Sequence, residues 1–213
     1  MAPEAVEQKT KERILSAAAA EFASKGFDGA RVDDIARRAG VNKALIYYYY
    51  KSKEELLEIL FKSITEEIFS SEAMRFMKAM SGADFRDKKA LFSLMNLFLD
   101  TLEARQDVIR LALMELAKRT PINTMIFSIF EEIMEQMFSI PIAEDMRKPE
   151  NKSHSMITEF FTGILPMLDY VAYHEIWMER FGIDEASLRA SFIESFLGTH
   201  FAYTIHGYHD EVE

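Results

Sequence analysis

Apolar residues recur along this chain at intervals of three and four, the spacing of one face of an α-helix, and no stretch alternates convincingly with period two. Ile14, Leu15, Ala18 and Phe22 make the first such face, helped by the alanines at 17–20. Thr10 stands where it can cap the helix they predict, which should stop near Lys25 and Gly26. Val32, Ile35, Ala36 and Ala39 predict a short second helix ended by Gly40. Asn42 is placed to cap a third, with Val41 and Ile46 at the two positions of a hydrophobic staple. Ser52-Lys53-Glu54-Glu55 reads as a capping box, and Leu56, Leu57, Leu60, Phe61, Ile64 and Ile68 follow it along a long fourth helix.

Beyond these, residues 91–102 are apolar nearly all round and 108–116 are similar, as expected of helices enclosed by others. Thr120-Pro121 supplies a cap and a first-turn proline for a helix that turns Ile122, Met125, Ile126, Ile129, Ile133 and Met137 inward and Glu131, Glu132 and Glu135 outward. The stretch IPIAEDMRKPENKS at 140–153 is the best linker candidate. Two helices should close the chain, one from about Ser155 to Phe181 interrupted at Pro166, the other from Asp184, a good cap, to about Ile205. The fold class expected is all-α.

Composition sharpens this. With 213 residues, 49% of them apolar, the chain can bury a sizeable core, and with no cysteine it can hold neither a disulfide framework nor a cysteine metal site. The charged opening stretch and the lack of any long apolar run point to a cytoplasmic protein that does not span a membrane. A net charge of −10 argues against nucleic acid when averaged, yet residues 1–53 hold ten Lys/Arg against seven Asp/Glu, a net of +3. The remainder carries −13, together with fifteen of the seventeen Phe and twelve of the thirteen Met. The two parts are built for different partners.

The second and third helices, joined by Ala39-Gly40-Val41, form a helix-turn-helix, whose latter helix can lie in a DNA major groove. Lys43 sits in its first turn, where base edges are met. Tyr47, Tyr48 and Tyr49 offer phenol donors to phosphates, and Lys53 adds its charge to the positive end of the fourth helix as a phosphate anchor. Taken by itself, AGVNKALIYYYY reads equally well as a buried helical hairpin whose tyrosines only pack. Over a longer span, Ile14-Leu15, Ala17-Ala18, Phe22, Gly26-Phe27, Ile35-Ala36, Ala39-Gly40-Val41, Ile46-Tyr47, Tyr49-Tyr50, Lys53 and Leu56 resemble, with unbroken spacing from Thr10 to Leu57, the N-terminal signature of the TetR family of transcriptional regulators. The resemblance implies a homodimeric repressor with an N-terminal DNA-binding domain, 1–53, and a larger helical effector-binding and dimerisation domain, 54–213. It implies groove contacts for Lys43, Ala44 and Tyr48, phosphate contacts for Tyr47, Tyr49 and Lys53, and small-core roles for Ile46 and Tyr50. Two positions depart from the family pattern. Ala30-Arg31 replaces a hydroxyl pair entering the second helix, so Arg31 would substitute through charge, and Asn42 replaces the usual serine cap. Asp33 and Asp34 suit the positive end of the second helix and are unfavourable near phosphates.

In the C-terminal part, the flexible side chains of Met95, Phe98, Met134, Phe161 and Leu165 suit an adaptable cavity for a small lipophilic effector, as they equally suit a solid core. Asn96, Tyr170 and His174 are the polar groups placed to orient such a ligand. Ser191, Ser195, Gly198 and Ala202 form a stripe of small residues for close approach of a partner helix in a homodimer, which would read a near-palindromic operator in double-stranded DNA. His206 and His209, with His200 nearby, have a spacing one metal could bridge, but a solvated tail explains them better, and no cofactor is expected. The remaining glutamates are assigned to solvated helical faces. No catalytic motif is present, and the competing functional class is an all-α carrier protein that no longer binds DNA.

Overall fold

A computed structural model describes residues 3–80, 84, 87–139 and 152–201, and among these no strand occurs. The helices are α1 (Pro3–Gly29), α2 (Val32–Ala39), α3 (Lys43–Tyr49), α4 (Lys53–Ser70), α5 (Glu72–Ala79), α6 (Lys88–Glu103), α7 (Gln106–Leu116), α8 (Pro121–Ser139), α9 (Lys152–Thr158), α10 (Leu165–Phe181) and α11 (Glu185–Phe196). A π-helical turn, Glu159–Ile164, joins α9 to α10, and a second, Leu197–Phe201, follows α11. No described helix is long and apolar enough to cross a membrane. Of the linker candidate at 140–153, residues 140–151 lie outside the described residues, as do Ala202, His206 and His209, while Lys152 and Ser153 open α9.

The chain packs as two compact units. The first takes in the residues up to Glu66 together with Asp107–Glu131, and the second Glu67–Gln106 with the described residues from Glu132 onward. In the first unit Ile14, Ala18, Phe22, Ile35, Ile46, Leu56 and Leu57 are buried almost completely, one apolar stripe from each of α1 to α4. Burying a side chain of this size stabilises by roughly 1.5–3 kcal/mol, so these stripes drive the three short helices together. Gly26 adopts φ 68° and breaks α1 where the sequence predicts. Gly40, at φ 65°, closes α2: its N–H reaches Arg37 O at 3.2 Å and the next N–H, of Val41, reaches Ala36 O at 3.0 Å, a Schellman ending that turns the chain sharply toward α3.

Thr10 is not a cap. It lies inside α1, its hydroxyl donating to Val6 O at 2.8 Å, because the Glu7–Lys11 and Gln8–Glu12 side-chain pairs carry the helix further toward the N-terminus than apolar spacing alone indicates. The fourth helix ends at Ser70, where Ser71 accepts from Met74 N and opens α5. Two glutamates depart from the solvated faces expected of them. Glu21 is 4% exposed and Glu115 fully buried, each neutralised by a basic partner: Lys25 and Arg38 for the first, Lys118 for the second.

In the second unit Ala73, Met74, Met77, Leu91 and Leu94 form a core against which Phe98, Met137 and Leu197 pack, while α6 also meets α10 and α11. The expected interruption at Pro166 is present, with a particular form. Proline cannot donate to the carbonyl four residues earlier and its ring crowds it, and the preceding turn widens to a π turn, leaving Pro166 in the first turn of α10. Gly163, in that turn, is approached so closely by the buried His200 that a Cβ there would lie 2.9 Å from His200 Cε1.

Candidate nucleic-acid interface and effector region

Within the first unit, α3 presents Asn42, Lys43, Ala44, Tyr47 and Tyr48 to solvent while Ile46 and Tyr50 face the core. Tyr48 is 76% and Tyr47 48% exposed, so the run of four tyrosines divides by helical phase into outward and inward members. Asn42 caps the helix, its Oδ1 accepting from Leu45 N at 2.7 Å. The Tyr50 hydroxyl donates to Lys11 O at 3.3 Å, and burial pushes its pKa up to about 12. Tyr49 is half-buried, with the Lys11 ammonium 5.3 Å from its ring centre. The packing-only account of the tyrosines therefore holds for Tyr50 and fails for Tyr47 and Tyr48.

Sequence reading missed what holds this head rigid. Arg13 of α1 donates from Nη2 to Ala39 O at 2.6 Å and to Gly40 O at 3.2 Å, and from Nε to Ala39 O at 3.2 Å, clamping the turn between α2 and α3. The signal was an arginine one residue before the apolar stripe of α1, which spacing assigns to solvent. A charge network backs the clamp. Lys25 lies 2.7 Å from Glu21 and 2.9 Å from Asp34, Arg38 bonds Glu21 at 3.0 Å, and Arg37 bonds Asp34 at 2.7 Å. Hydrogen bonds from Lys25 and the arginines hold the Glu21 and Asp34 carboxyls below the usual carboxylate range. Asp34 is thus turned away from a phosphate-facing role into an internal tie.

Lys43 and Asp33, both exposed, form an ion pair of 3.1 Å. An exposed pair of this kind is worth only about 0–1 kcal/mol, so it does not prevent Lys43 from turning to a base. Arg31 is exposed at the cap position of α2 and makes no side-chain cap bond, so the substitution through charge is sterically open while the lost hydroxyl cap is not replaced. Lys53 departs from its expected placement. Its ammonium donates to Phe27 O at 2.8 Å and Ala30 O at 3.2 Å and stands 4.2 Å from the Phe27 ring centre, so it ties the end of α1 to the start of α4. The capping box beside it forms, Ser52 Oγ accepting from Glu55 N at 3.1 Å and Glu55 from Lys51 N.

In the second unit Met95, Met134 and Tyr170 are buried, Asn96, Phe98, Leu165 and His174 half-buried, and Phe161 is 61% exposed. Phe161, on the π turn, therefore points away from the interior expected to hold it. Asn96 spends its amide on Phe92 O of its own helix at 2.9 Å, and His174 Nδ1 donates to Val171 O at 3.0 Å. Tyr170 is stacked between His174 and Phe192, with ring centres 5.4 and 4.4 Å away. Ser191, Ser195 and Gly198 are all exposed. His200 is occupied within the fold: Nδ1 lies 2.9 Å from Thr162 Oγ1 and Nε2 3.4 Å from Glu159 Oε2.

Residues 14–60 match the pattern of the bacterial regulatory proteins of the tetR family. The HTH-type transcriptional repressor SCO4008 of Streptomyces coelicolor is 52% identical over 60 residues, which cover 28% of this chain and 29% of that protein, so the chain spans less than a third of the length of this relative. Among solved structures, the fatty acid degradation regulator FadR from Bacillus halodurans superposes with a TM-score of 0.65 at 20% identity, covering 88% of this chain and 98% of that one. FadR from Bacillus subtilis in complex with stearoyl-CoA does so with a TM-score of 0.60 at 21% identity, covering 87% and 96%. At these identities the likeness speaks to the fold, and it extends over most of the chain, while the family pattern covers only residues 14–60. The head of the chain thus carries the pattern of the tetR family of bacterial regulatory proteins, and its helical fold is shared over most of its length with the two FadR structures.

Proposed function

We propose that this protein is a ligand-responsive repressor that binds a near-palindromic DNA operator as a homodimer and is released by a small lipophilic effector. The observation that carries the reading is the outward face of α3, where Asn42, Lys43, Ala44, Tyr47 and Tyr48 stand together on a turn clamped by Arg13. A helix held this firmly enters a major groove without losing conformational freedom on binding. Lys43 supplies the base contact, the exposed tyrosine hydroxyls and Arg31 supply phosphate contacts, and residues 1–53 act as the reading module with 54–213 as the sensing one. No catalytic step is assigned to any residue, and the site of action is the cytoplasm, where operator DNA is found.

Dimerisation is supported by an apolar face on α9 and α10 and by the exposed small residues of α11. Ile157, Phe161, Tyr173, Ile176 and Trp177 are all about half exposed or more, apolar side chains that a partner helix can cover. Such helices pair across a two-fold axis as a four-helix bundle, which sets two copies of α3 for successive half-sites. Effector action is supported by the Met-rich core of the second unit and by the stearoyl-CoA complex of one structural neighbour. Coupling of about 1–3 kcal/mol between effector and operator would lower DNA affinity roughly 5- to 150-fold, and DNA would weaken effector binding by the same factor.

Selection of bound fragments from a random duplex pool tests the reading directly. The enriched site should be an inverted repeat with half-sites about one helical turn apart, and Lys43→Ala should cost roughly 1–3 kcal/mol on it and relax base choice. A pool with no enrichment would favour the carrier alternative.

A further inference from the structure

Three buried polar atoms of the second unit, each from a different helix, have no hydrogen-bond partner: Glu103 Oε1 on α6, Tyr170 Oη on α10 and Arg189 Nε on α11. They belong to one cluster. Arg189 Nη1 lies 3.5 Å from Glu103 Oε2, while its Nη2 donates to Asn96 O at 3.0 Å and to Asp100. Tyr170 stacks on Phe192, one turn along α11 from Arg189, and is only 8% exposed. Burial pushes the Tyr170 hydroxyl up to about 12, with the Glu103 charge acting in the same direction, and burial likewise raises Glu103 against the pull of Arg189. Buried polar groups are almost always satisfied, and three orphans in one place call for a common partner.

Their chemistry limits what that partner can be. Arg189 Nε–H needs an acceptor, Glu103 Oε1 needs a donor, and the phenol takes either. An ammonium offers donors alone and meets the Arg189 charge; a carboxylate offers acceptors alone and meets the Glu103 charge. A hydroxyl supplies both functions without a charge. Along α6, Met95 and Leu99 precede Glu103 at steps of four and both are buried, so the face of α6 that leads up to the orphaned atoms is apolar. We infer that Glu103, Tyr170 and Arg189 form the recognition point for a neutral, hydroxyl-bearing head group on the lipophilic effector proposed above, a reading that rests on that proposal and narrows it to uncharged amphiphiles.

The test uses the full chain and three probes that share a tail, 1-decanol, decanoate and decylammonium, with affinity measured by calorimetry and operator release by fluorescence anisotropy on the selected duplex. The alcohol should bind at least tenfold more tightly than either ion and release DNA at the lowest concentration. Tyr170→Phe keeps the stacked ring and removes the orphaned hydroxyl. It should weaken the alcohol about tenfold and leave the melting temperature of the ligand-free protein unchanged or higher. Glu103→Gln should selectively improve decanoate. Equal affinity for all three probes with DNA release would overturn this inference and leave the effector reading standing, as would tightest binding by either ion. A fall in the ligand-free melting temperature of Tyr170→Phe, with no change in probe affinity, would show that a resident water already serves the phenol. Failure of every probe to bind would overturn the lipophilic effector reading and this inference with it.

Discussion

Replacing Lys53 with methionine separates two roles that a lysine at this position can play. Methionine keeps an unbranched apolar stem over the Phe27 ring and removes the ammonium, so Phe27 O and Ala30 O lose their donor. Hydrogen bonds from a charged group contribute about 1.5–3 kcal/mol, reduced here because the ammonium is only part-buried, and a partly exposed cation over an aromatic ring adds about 0.5–1 kcal/mol. The expected loss is about 2 kcal/mol, confined to the junction of α1 with α4. Hydrogen exchange reads it best, because Trp177, the single tryptophan, lies in the other unit and reports on that. The Ala30 amide, which donates to Gly26 O at 3.2 Å, should exchange about thirtyfold faster if its protection follows opening of this junction. DNA affinity should fall through poorer presentation of α3, while the slope of log K against log salt stays near the wild-type value. Had Lys53 served only as a phosphate anchor, the amide would be unmoved and the magnitude of the slope would drop by about 0.9 for each subunit of the bound dimer. That second pattern would refute the assignment of Lys53 to the fold.

Gly40→Ala should lower the melting temperature, since φ 65° costs a residue with a Cβ about 1–2 kcal/mol, and the added carbon would stand 3.5 Å from Arg13 Nη2; scanning calorimetry checks it. Trp177→Arg should convert the protein to a monomer in sedimentation and weaken operator binding, because it sets two like charges opposite each other across the proposed two-fold face. Acid should loosen the first unit: Glu21 and Asp34 have folded pKa values below their unfolded ones, so their contribution is present above about pH 4 and is lost as pH falls through the folded values. A Glu21→Gln/Asp34→Asn double variant should be less stable at neutral pH and show a flatter acid limb in urea titrations.

The helix-turn-helix was legible residue by residue because its determinants are local. Gly40 needs φ > 0, Asn42 needs the N–H three residues on, and Ile35 and Ile46 need one side of their helices buried. Thr10 was misread because a hydroxyl ahead of an apolar stripe resembles a cap, and the pairs that extend α1 past it carry no apolar signal. Glu21 and Glu115 were assigned to solvent because periodicity counts a carboxylate as polar whatever pairs with it; the Arg38 that meets Glu21 is seventeen positions away. The effector region was hardest. Its apolar residues serve a core and a cavity equally well, and its informative atoms, on Glu103 and Arg189, stand out only once three helices bring them together.

The π turn between α9 and α10 has a geometric consequence for the whole length of that rod. An i→i+5 turn takes up one residue more than an i→i+4 turn, which sets everything after it back in phase by about 100°. Ile157 and Ile176, exposed to 57% and 60%, are nineteen positions apart. On an uninterrupted α-helix they would sit about 100° apart around the axis, two separate sticky spots facing different directions. With one residue absorbed, the interval counts as five whole turns and the two isoleucines come into line, with Tyr173 close beside them. Pro166 and the loop of helix it forces thus straighten a broken stripe into a continuous seam, and a single-residue deletion there would leave both halves helical while setting them out of step.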